Sequence, residues 1–319
     1  MKILVTGGAG YIGSAAVKKL IGENHQVVVI DNLLKGKKEL VDQKAIFYQG
    51  DLVDKGLLDN IFSEHQFDAV IHFASYKAAG ESMKQLEKYS DNITGTINLL
   101  NVMVQYNVKK IIFSSSAAVY GEPQYIPIDE NHPTNPINYY GFTKLECEKI
   151  IQWYSQLKGI TGICLRYFNV AGDAGLNYVD PDAQNIFPII MEVLINRRDQ
   201  LTIFGNDYTT SDGTCIRDYV DVNDLVDAHI LALDLKKSEV INLGSNSGTS
   251  VLELINTFET VSEQKVNWGF SPKRAGDPAK LTASNEKAKS SLNWKPKRNI
   301  KDMVKSTLIA YGFKSKPNL

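Results

Sequence analysis

Cysteine is scarce in this 319-residue chain: Cys147, Cys164 and Cys215 are the only three, far apart in sequence. Such spacing offers no disulfide framework and points to a reducing cytoplasm. The five histidines are scattered as well, so no structural metal pattern forms and no metal is expected. No apolar run approaches the ~18 residues of a spanning helix, which argues against a membrane protein. An excess of either charge is also missing. Lys and Arg number 35 against 36 Asp and Glu, a formal net charge of −1. That balance removes support for a nucleic-acid-binding stripe or a polybasic membrane patch. Internal repeats and low-complexity segments are absent. The opening "MKILVTGGAGYIG" turns to glycine after one basic residue, and reads as a first strand rather than a signal peptide.

What the chain does have is an alternation of strands and helices. "KILVTG", "HQVVVID", "AIFYQGD", "DAVIHFA", "KKIIFSSS" and "TGICLRYFN" read as strands. Helical patterns separate them: "SAAVKKLIGE", about Asp54 to His65, Asn92 to Tyr106, and "GFTKLECEKIIQWYSQL". Continuous Val/Ile-rich strands, each followed by a helix, predict an α/β fold whose parallel sheet is covered on both faces. The handedness of crossovers makes it a Rossmann-type, doubly wound sheet.

After Asn169 the texture changes. "VAGDAGLNYVDPDAQNIFP" reads as loop. The next helix, "NIFPIIMEVLINR", carries Pro188 in its first turn. "DVNDLVDAHILALDL" reads as helix with Asp221 as cap, "EVINLG" as another parallel-type strand, and "TSVLELINTFETV" as a helix capped by Thr249 or Ser250 with Glu253 near the box position. A final helix and a polar end follow "WKPKRN". These patterns predict a nucleotide-binding domain over residues 1–170, to which 216–244 returns. A smaller mixed α/β substrate domain is expected from 171–215 and 245–319.

The stretch "TGGAGYIG" follows the first strand directly. Gly7, Gly10 and Gly13 are spaced by three, and a turn that admits a pyrophosphate needs residues without Cβ. The helix N-terminus behind them offers free N–H groups to phosphate. Asp31, 18 residues past Gly13, can accept from a ribose 2′-hydroxyl and repels a 2′-phosphate, which favours NAD over NADP. Asp51 closes the third strand, where an adenine edge belongs or an ordinary turn suffices. Lys77 lies just past the fourth strand, suited to an anionic or ribose group or to plain solvent. Asn92 could bond the cofactor or cap its own helix.

Tyr140 and Lys144, in "NYYGFTK", share one helical face. A phenol must fall from about 10 to near 7 to serve as a base, roughly 4 kcal/mol of preferential anion stabilisation. An adjacent ammonium supplies part of it. Ser116, at the end of the fifth strand, can donate to a substrate hydroxyl or to the phenolate. Ala117 and Ala118 follow it, with no acid to protonate a leaving hydroxyl, which argues against a dehydratase.

These segments together with "VIHFAS", "FSSSAAVYG", "LRYFN" and above all "IFGNDYTTSDGTCIRDYV" carry a family resemblance. From Met1 to about Trp294 the chain resembles the extended short-chain dehydrogenase/reductase superfamily, and within it the UDP-glucose 4-epimerase family, also named for UDP-galactose. The resemblance implies reversible C4 epimerisation of UDP-glucose and UDP-galactose on tightly held NAD, through a 4-keto sugar. Tyr140 would be the base, Lys144 would bind the nicotinamide ribose, and Ser116 would bond the sugar. It extends the cofactor contacts to Tyr11, Ile12, Asn32, Leu52, Phe73, Ala74, Ser114 and Tyr167. It assigns Asn169 and Asn185 to the sugar nucleotide, Thr202 and Phe204 to uracil, Arg217 and Arg274 to the pyrophosphate, and Asp277 to the uridine ribose. Arginine forks suit phosphate oxygens.

Three departures stand out. Asp221 occupies a position where the family commonly has histidine. "LNYVDPDAQNIFP" departs from its surroundings, which leaves Asn185 less firmly placed. Leu281 matches a position whose bulk bears on N-acetylated sugars, so UDP-N-acetylglucosamine or a UDP-pentose stays open as a substrate. The resemblance also implies a homodimer through "SDNITGTINLLNVMVQYNV" and "NYYGFTKLECEKIIQWYSQL", whose apolar faces could equally be core.

Overall fold

The computed structural model describes residues 1–181, 183–274 and 277–313. The polar end beyond Phe313, and Ala275 and Gly276 between Arg274 and Asp277, lie outside them. In chain order the strands are β1 (Lys2–Thr6), β2 (Gln26–Asp31), β3 (Ile46–Gln49), β4 (Ala69–His72), β5 (Lys110–Ser114), β6 (Thr161–Tyr167), β7 (Asn169–Ala171), β8 (Leu201–Phe204), β9 (Ile216–Arg217), β10 (Tyr219–Asp221), β11 (Glu239–Leu243), β12 (Thr249–Ser250), β13 (Trp268–Ser271) and β14 (Lys280–Leu281). The helices are α1 (Tyr11–Gly22), α2 (Lys55–Glu64), α3 (Ala79–Ser82), α4 (Leu86–Gln105), α5 (Tyr139–Lys158), α6 (Ile186–Leu194), α7 (Val222–Leu231), α8 (Val251–Ser262), α9 (Glu286–Leu292) and α10 (Ile300–Ala310).

Seven parallel strands form the central sheet in the order β11-β6-β5-β4-β1-β2-β3. Successive residues of each strand feed opposite faces. Val5, Val29 and Ile71 pack with Val17 and Leu20 of α1 and with Leu225 and Ala228 of α7. Leu4, Val28 and Val70 pack with Leu58 and Ile61 of α2, Leu99 and Met103 of α4, and Ile151 of α5. Burial on both faces is why these strands lack polar alternation. The strand order reverses between β1 and β4, and a parallel sheet opens its ligand crevice at the carboxyl ends of such a pair. A third core joins Phe187 and Ile190 of α6, Leu201 and Ile203 of β8, Leu254 and Phe258 of α8, and Met303 and Val304 of α10. Beside it lie three small sheets: β7 with β10, β8 with β13, and β9 between β12 and β14.

The caps follow the sequence closely. Asn138 accepts from the Gly141 N–H, Asp221 from Asn223, and Ser250 forms a capping box with Glu253. Several elements differ from expectation: β7 takes in Val170 and Ala171, read as loop, because they pair with Val220 and Asp221 of β10, and α3, β8 and β13 have no counterpart in the sequence reading. Helix α4 begins at Leu86, six residues ahead of the apolar pattern, because only Tyr89 is buried in its first turns. Asn92 therefore sits inside the helix and caps nothing. Helix α9 was not anticipated at all; it is seven residues long and buries only Ala288 and Leu292.

Candidate active site

The glycine loop is tight for reasons the structure makes explicit. Gly7 sits at φ +71°, and a Cβ there would lie 2.6 Å from the Ala74 nitrogen. A Cβ on Gly13 would fall 2.0 Å from the Gly7 carbonyl oxygen. Both glycines let α1 and β4 close on the turn. Gly10 is different. Its Cβ would meet nothing nearer than the Gly7 oxygen at 3.4 Å, so the fold does not require a glycine there. The space in front of Gly10 belongs to a cavity of about 540 Å³, and a molecule held close to the backbone does require one.

That cavity gathers most of the expected site. Gly7, Gly10, Tyr11, Ile12, Gly13, Asp31, Asn32, Asp51, Leu52, Phe73, Ala74, Lys77, Asn92, Tyr140, Lys144 and Tyr167 line it, and Ser116, Asn169 and Asn185 do so as well. Buried Asp31 accepts from the Ala9 N–H at 3.0 Å and the Leu33 N–H at 2.9 Å. Burial still pushes its carboxyl above the ordinary value. Asn32 donates to Asp51 at 2.7 Å, which orients that carboxylate. Asn92 accepts from the Tyr76 N–H at 2.8 Å and donates to the Tyr76 carbonyl and to Thr143, pinning the loop after β4 to α4 and α5.

Three consecutive serines after β5 reach in three directions. Ser116 accepts from the Ala118 N–H at 3.1 Å and hydrogen-bonds Tyr140. Ser115 donates to Glu148, which pairs with Arg166 at 2.5 Å in the interior. The Ser114 carbonyl accepts from Lys144 Nζ at 2.8 Å, and its hydroxyl bonds His229 Nε2 at 2.8 Å. Ser114 thus stands behind the cavity wall and does not line it. His229 Nδ1 faces the Leu225 carbonyl at 2.9 Å, and a carbonyl only accepts. The proton is therefore on Nδ1, Nε2 accepts from Ser114, and the Ser114 oxygen is left to accept from Tyr167. Burial holds His229 down to about 4, so it stays neutral.

The expected pull of Lys144 on the Tyr140 phenol is not what dominates. Lys144 Nζ is directed to the Ser114 carbonyl and the face of Phe113, 5.9 Å from the Tyr140 ring centre. Burial raises the phenol above its ordinary value, and the Ser116 hydrogen bond offsets part of that. Burial also lowers Lys144 to about 8. A group so poised changes charge near neutrality. The Tyr140 N–H is held by Ser82 Oγ at 3.0 Å, which fixes the first turn of α5 over the cavity.

Thr202, Phe204, Arg217, Arg274 and Asp277 do not line this cavity. They form a second group around β8 and β9. Arg217 is ion-paired with Asp277 and donates to the Pro278 carbonyl at 2.9 Å. The Arg274 guanidinium lies 3.7 Å over the Phe204 ring. Arg217, Asp277 and Arg274 all bias the Cys215 thiol, so they are near neighbours. Thr202 is exposed on the same face of β8 as Phe204. Leu281 packs beside Val119, Tyr120 and Phe168. His229, Ser82, Ser115 and Glu148 were missed in the sequence. Of these, only His229 left a signal, a histidine on the buried stripe of a helix. Among the described residues no cluster of three His, Cys, Asp or Glu could hold a metal, and no helix is long and apolar enough to cross a membrane.

A glycine loop at the switch point of a parallel sheet, with an acid closing the second strand, is the construction of dinucleotide-binding proteins. Residues 3–244 match the NAD dependent epimerase/dehydratase family, and the chain belongs to that family. It is 47% identical over 315 residues to a UDP-glucose 4-epimerase of Lacticaseibacillus casei, covering 96% of this chain and 95% of that one. The crystal structure of UDP-glucose 4-epimerase from Brucella ovis in complex with NAD superposes with a TM-score of 0.93 at 35% identity, over 98% and 99% of the two chains. The Bifidobacterium longum UDP-glucose 4-epimerase, solved with NAD+ and UDP, gives 0.90 at 38% identity, over 97% of each.

Proposed function

We propose that the chain interconverts UDP-glucose and UDP-galactose by inverting C4, with NAD held in the glycine-loop cavity. What supports this most is the meeting of Ser116, Tyr140 and Lys144 in the same cavity as Gly10 and Asp31, in a chain so similar to UDP-glucose 4-epimerases. NAD suits these residues: Gly10 leaves room for a pyrophosphate, the α1 N-terminus carries no acidic side chain in its first turn, and Asp31 still has lone pairs for a ribose. When bound, NAD supplies an acceptor for the C4 hydride and gives it back.

The chain supplies the rest. Tyr140 Oη takes the proton from the sugar O4 and later returns it, while Ser116 donates to that oxygen and favours its anionic form. Lys144, one turn along α5, adds a cation that a positively charged nicotinamide reinforces, and it contacts the nicotinamide ribose. Inversion requires the keto sugar to present its other face, so the hexose must be loosely held and the nucleotide firmly. Thr202 and Phe204 serve the uracil, Arg217 and Arg274 the pyrophosphate, Asp277 the ribose, and Asn169 and Asn185 the sugar end. Ala117 and Ala118 offer no acid for water loss.

In this reading residues 1–170 and 216–244 form the NAD domain, and 171–215 with 245–319 the nucleotide-sugar domain. A cytoplasmic location suits the three free thiols. A homodimer through α4 and α5 accounts for Leu86, Phe142, Trp153 and Leu157, which are 53%, 41%, 61% and 71% exposed. The test is to incubate purified protein with UDP-galactose without added NAD, resolve the epimers, and release the cofactor by denaturation. Conversion to UDP-glucose at unchanged mass, with NAD released, supports the proposal. A mass loss or absence of conversion contradicts it.

A further inference from the structure

The loop between β7 and α6 does more than connect. Its first part, residues 172–181, contributes Tyr178, Asp180 and Pro181 to the lining of the glycine-loop cavity, which Gly10, Tyr11 and Gly36 also line. It is built as a fixed strap. Both carboxylate oxygens of buried Asp173 turn back to accept from the N–H groups of Leu176, Asn177 and Tyr178, at 2.9, 3.1 and 3.1 Å. Its root is tied to α1, for Tyr11 donates to the Gly172 carbonyl at 2.5 Å and Lys18 to the carbonyls of Ala174 and Gly175 at 2.8 and 3.0 Å. Its far side is tied to the end of α10, where the Asp180 backbone bonds the hydroxyl of Tyr311, the residue after the helix.

At the middle sits a clasp. The Tyr178 ring packs on the Tyr11 ring with centres 5.0 Å apart. Lys37, from the loop after β2, donates to the Val179 carbonyl at 3.1 Å and lies 5.6 Å over the Tyr178 ring. The Lys37 backbone N–H is fixed to the Ala9 carbonyl at 2.9 Å, within the glycine turn itself. Strap, glycine turn and α1 N-terminus are thus locked together at one point.

From this juxtaposition we propose that Tyr178 and Lys37 form a clasp that closes residues 172–181 over the NAD phosphates and retains the cofactor through the catalytic cycle. The proposal rests on the reading that NAD fills this cavity. Retention follows because the cofactor can leave past the glycine turn only when the Tyr11–Tyr178 ring contact and the Lys37–Val179 bond have both opened. A cation–π contact and an aromatic pair are each modest, so the clasp sets the rate of release more than it builds the site. This differs from the glycine turn, which determines whether NAD binds at all.

The test uses protein whose bound NAD carries a radiolabel and follows the release of that label into excess unlabelled NAD. Tyr178→Ala and Lys37→Met are expected to lose NAD at least tenfold faster than the unmodified chain. Tyr178→Phe, which keeps the ring, is expected to hold it as long as the unmodified chain does. Thermal melting with NAD present separates a faster release from a failure to fold, and Lys37→Met carries the test if Tyr178→Ala does not fold. Release as slow from both loosening variants as from the unmodified chain overturns the clasp while leaving the NAD site intact. An unmodified chain that carries no NAD overturns the site reading, and the clasp with it.

Discussion

The two candidate binding regions are built by different means. The dinucleotide region is made by backbone: a glycine turn, the carboxyl ends of parallel strands and the N-terminus of α1, with Asp31 locked by two main-chain N–H groups. The region proposed for uridine is made by side chains paired with each other, Arg217 with Asp277 and Arg274 with Phe204. The first is set by the fold before any ligand arrives. The second presents groups that a ligand must compete for, so part of its binding energy goes to breaking existing contacts. That contrast suits the proposed chemistry, in which one partner stays and the other comes and goes.

The largest effect that could break this contrast lies in the glycine turn. Gly13→Ala places a Cβ against the Gly7 carbonyl. It should cost about 3 kcal/mol in denaturant unfolding and abolish NAD retention. Normal cofactor content would mean the turn is not set by steric closeness. Lys144→Met removes the buried cation beside Ser114 and should lower kcat about 100-fold, measured on protein whose NAD content has been quantified. Arg217→Ala should raise the KM for UDP-galactose about tenfold with much less change in kcat. An equal fall in kcat would place Arg217 with the chemistry rather than with anchoring.

The smallest effect is a pH slope. His229 is buried neutral, its folded value lowered to about 4 from an ordinary 6.5. Below pH 6.5 the unfolded chain gains a proton the folded chain does not. Stability from this group is therefore intact above that value and lost as pH falls toward about 4. Between pH 7 and 5.5 the loss is about 1 kcal/mol. His72, lowered to about 3 by burial and by Lys144, works in the same direction. Unfolding free energies of His229→Gln across that range should show a shallower slope than the parent. An identical slope would remove His229 from the account.

Much of the first region was legible in the sequence because backbone geometry leaves local marks: glycines at fixed spacing, an acid at a strand end, and i to i+4 pairing on α5. The start of α4 was missed because the residues before Asn92 bury only Tyr89. Asn92 reads in sequence as a cofactor contact or a cap; it caps nothing, and it clamps the loop after β4 to α4 and α5 while lining the cavity. In the chain alone, burial raises the Tyr140 phenol and the part expected from Lys144 is not what offsets it. Helical spacing says that Lys144 is near, but not that the Ser114 carbonyl has its ammonium. Ser115, Glu148 and Arg166 meet only through the sheet, so no local pattern announces them.

In the proposed mechanism the Tyr140 hydroxyl moves the sugar proton. Its most direct measurement is turnover of UDP-galactose by Tyr140→Phe, with cofactor content and uridine nucleotide affinity determined on the same sample. The predicted result is a fall in kcat of at least about 100-fold, with NAD still bound and nucleotide affinity retained. Turnover close to that of the unmodified chain would contradict the account.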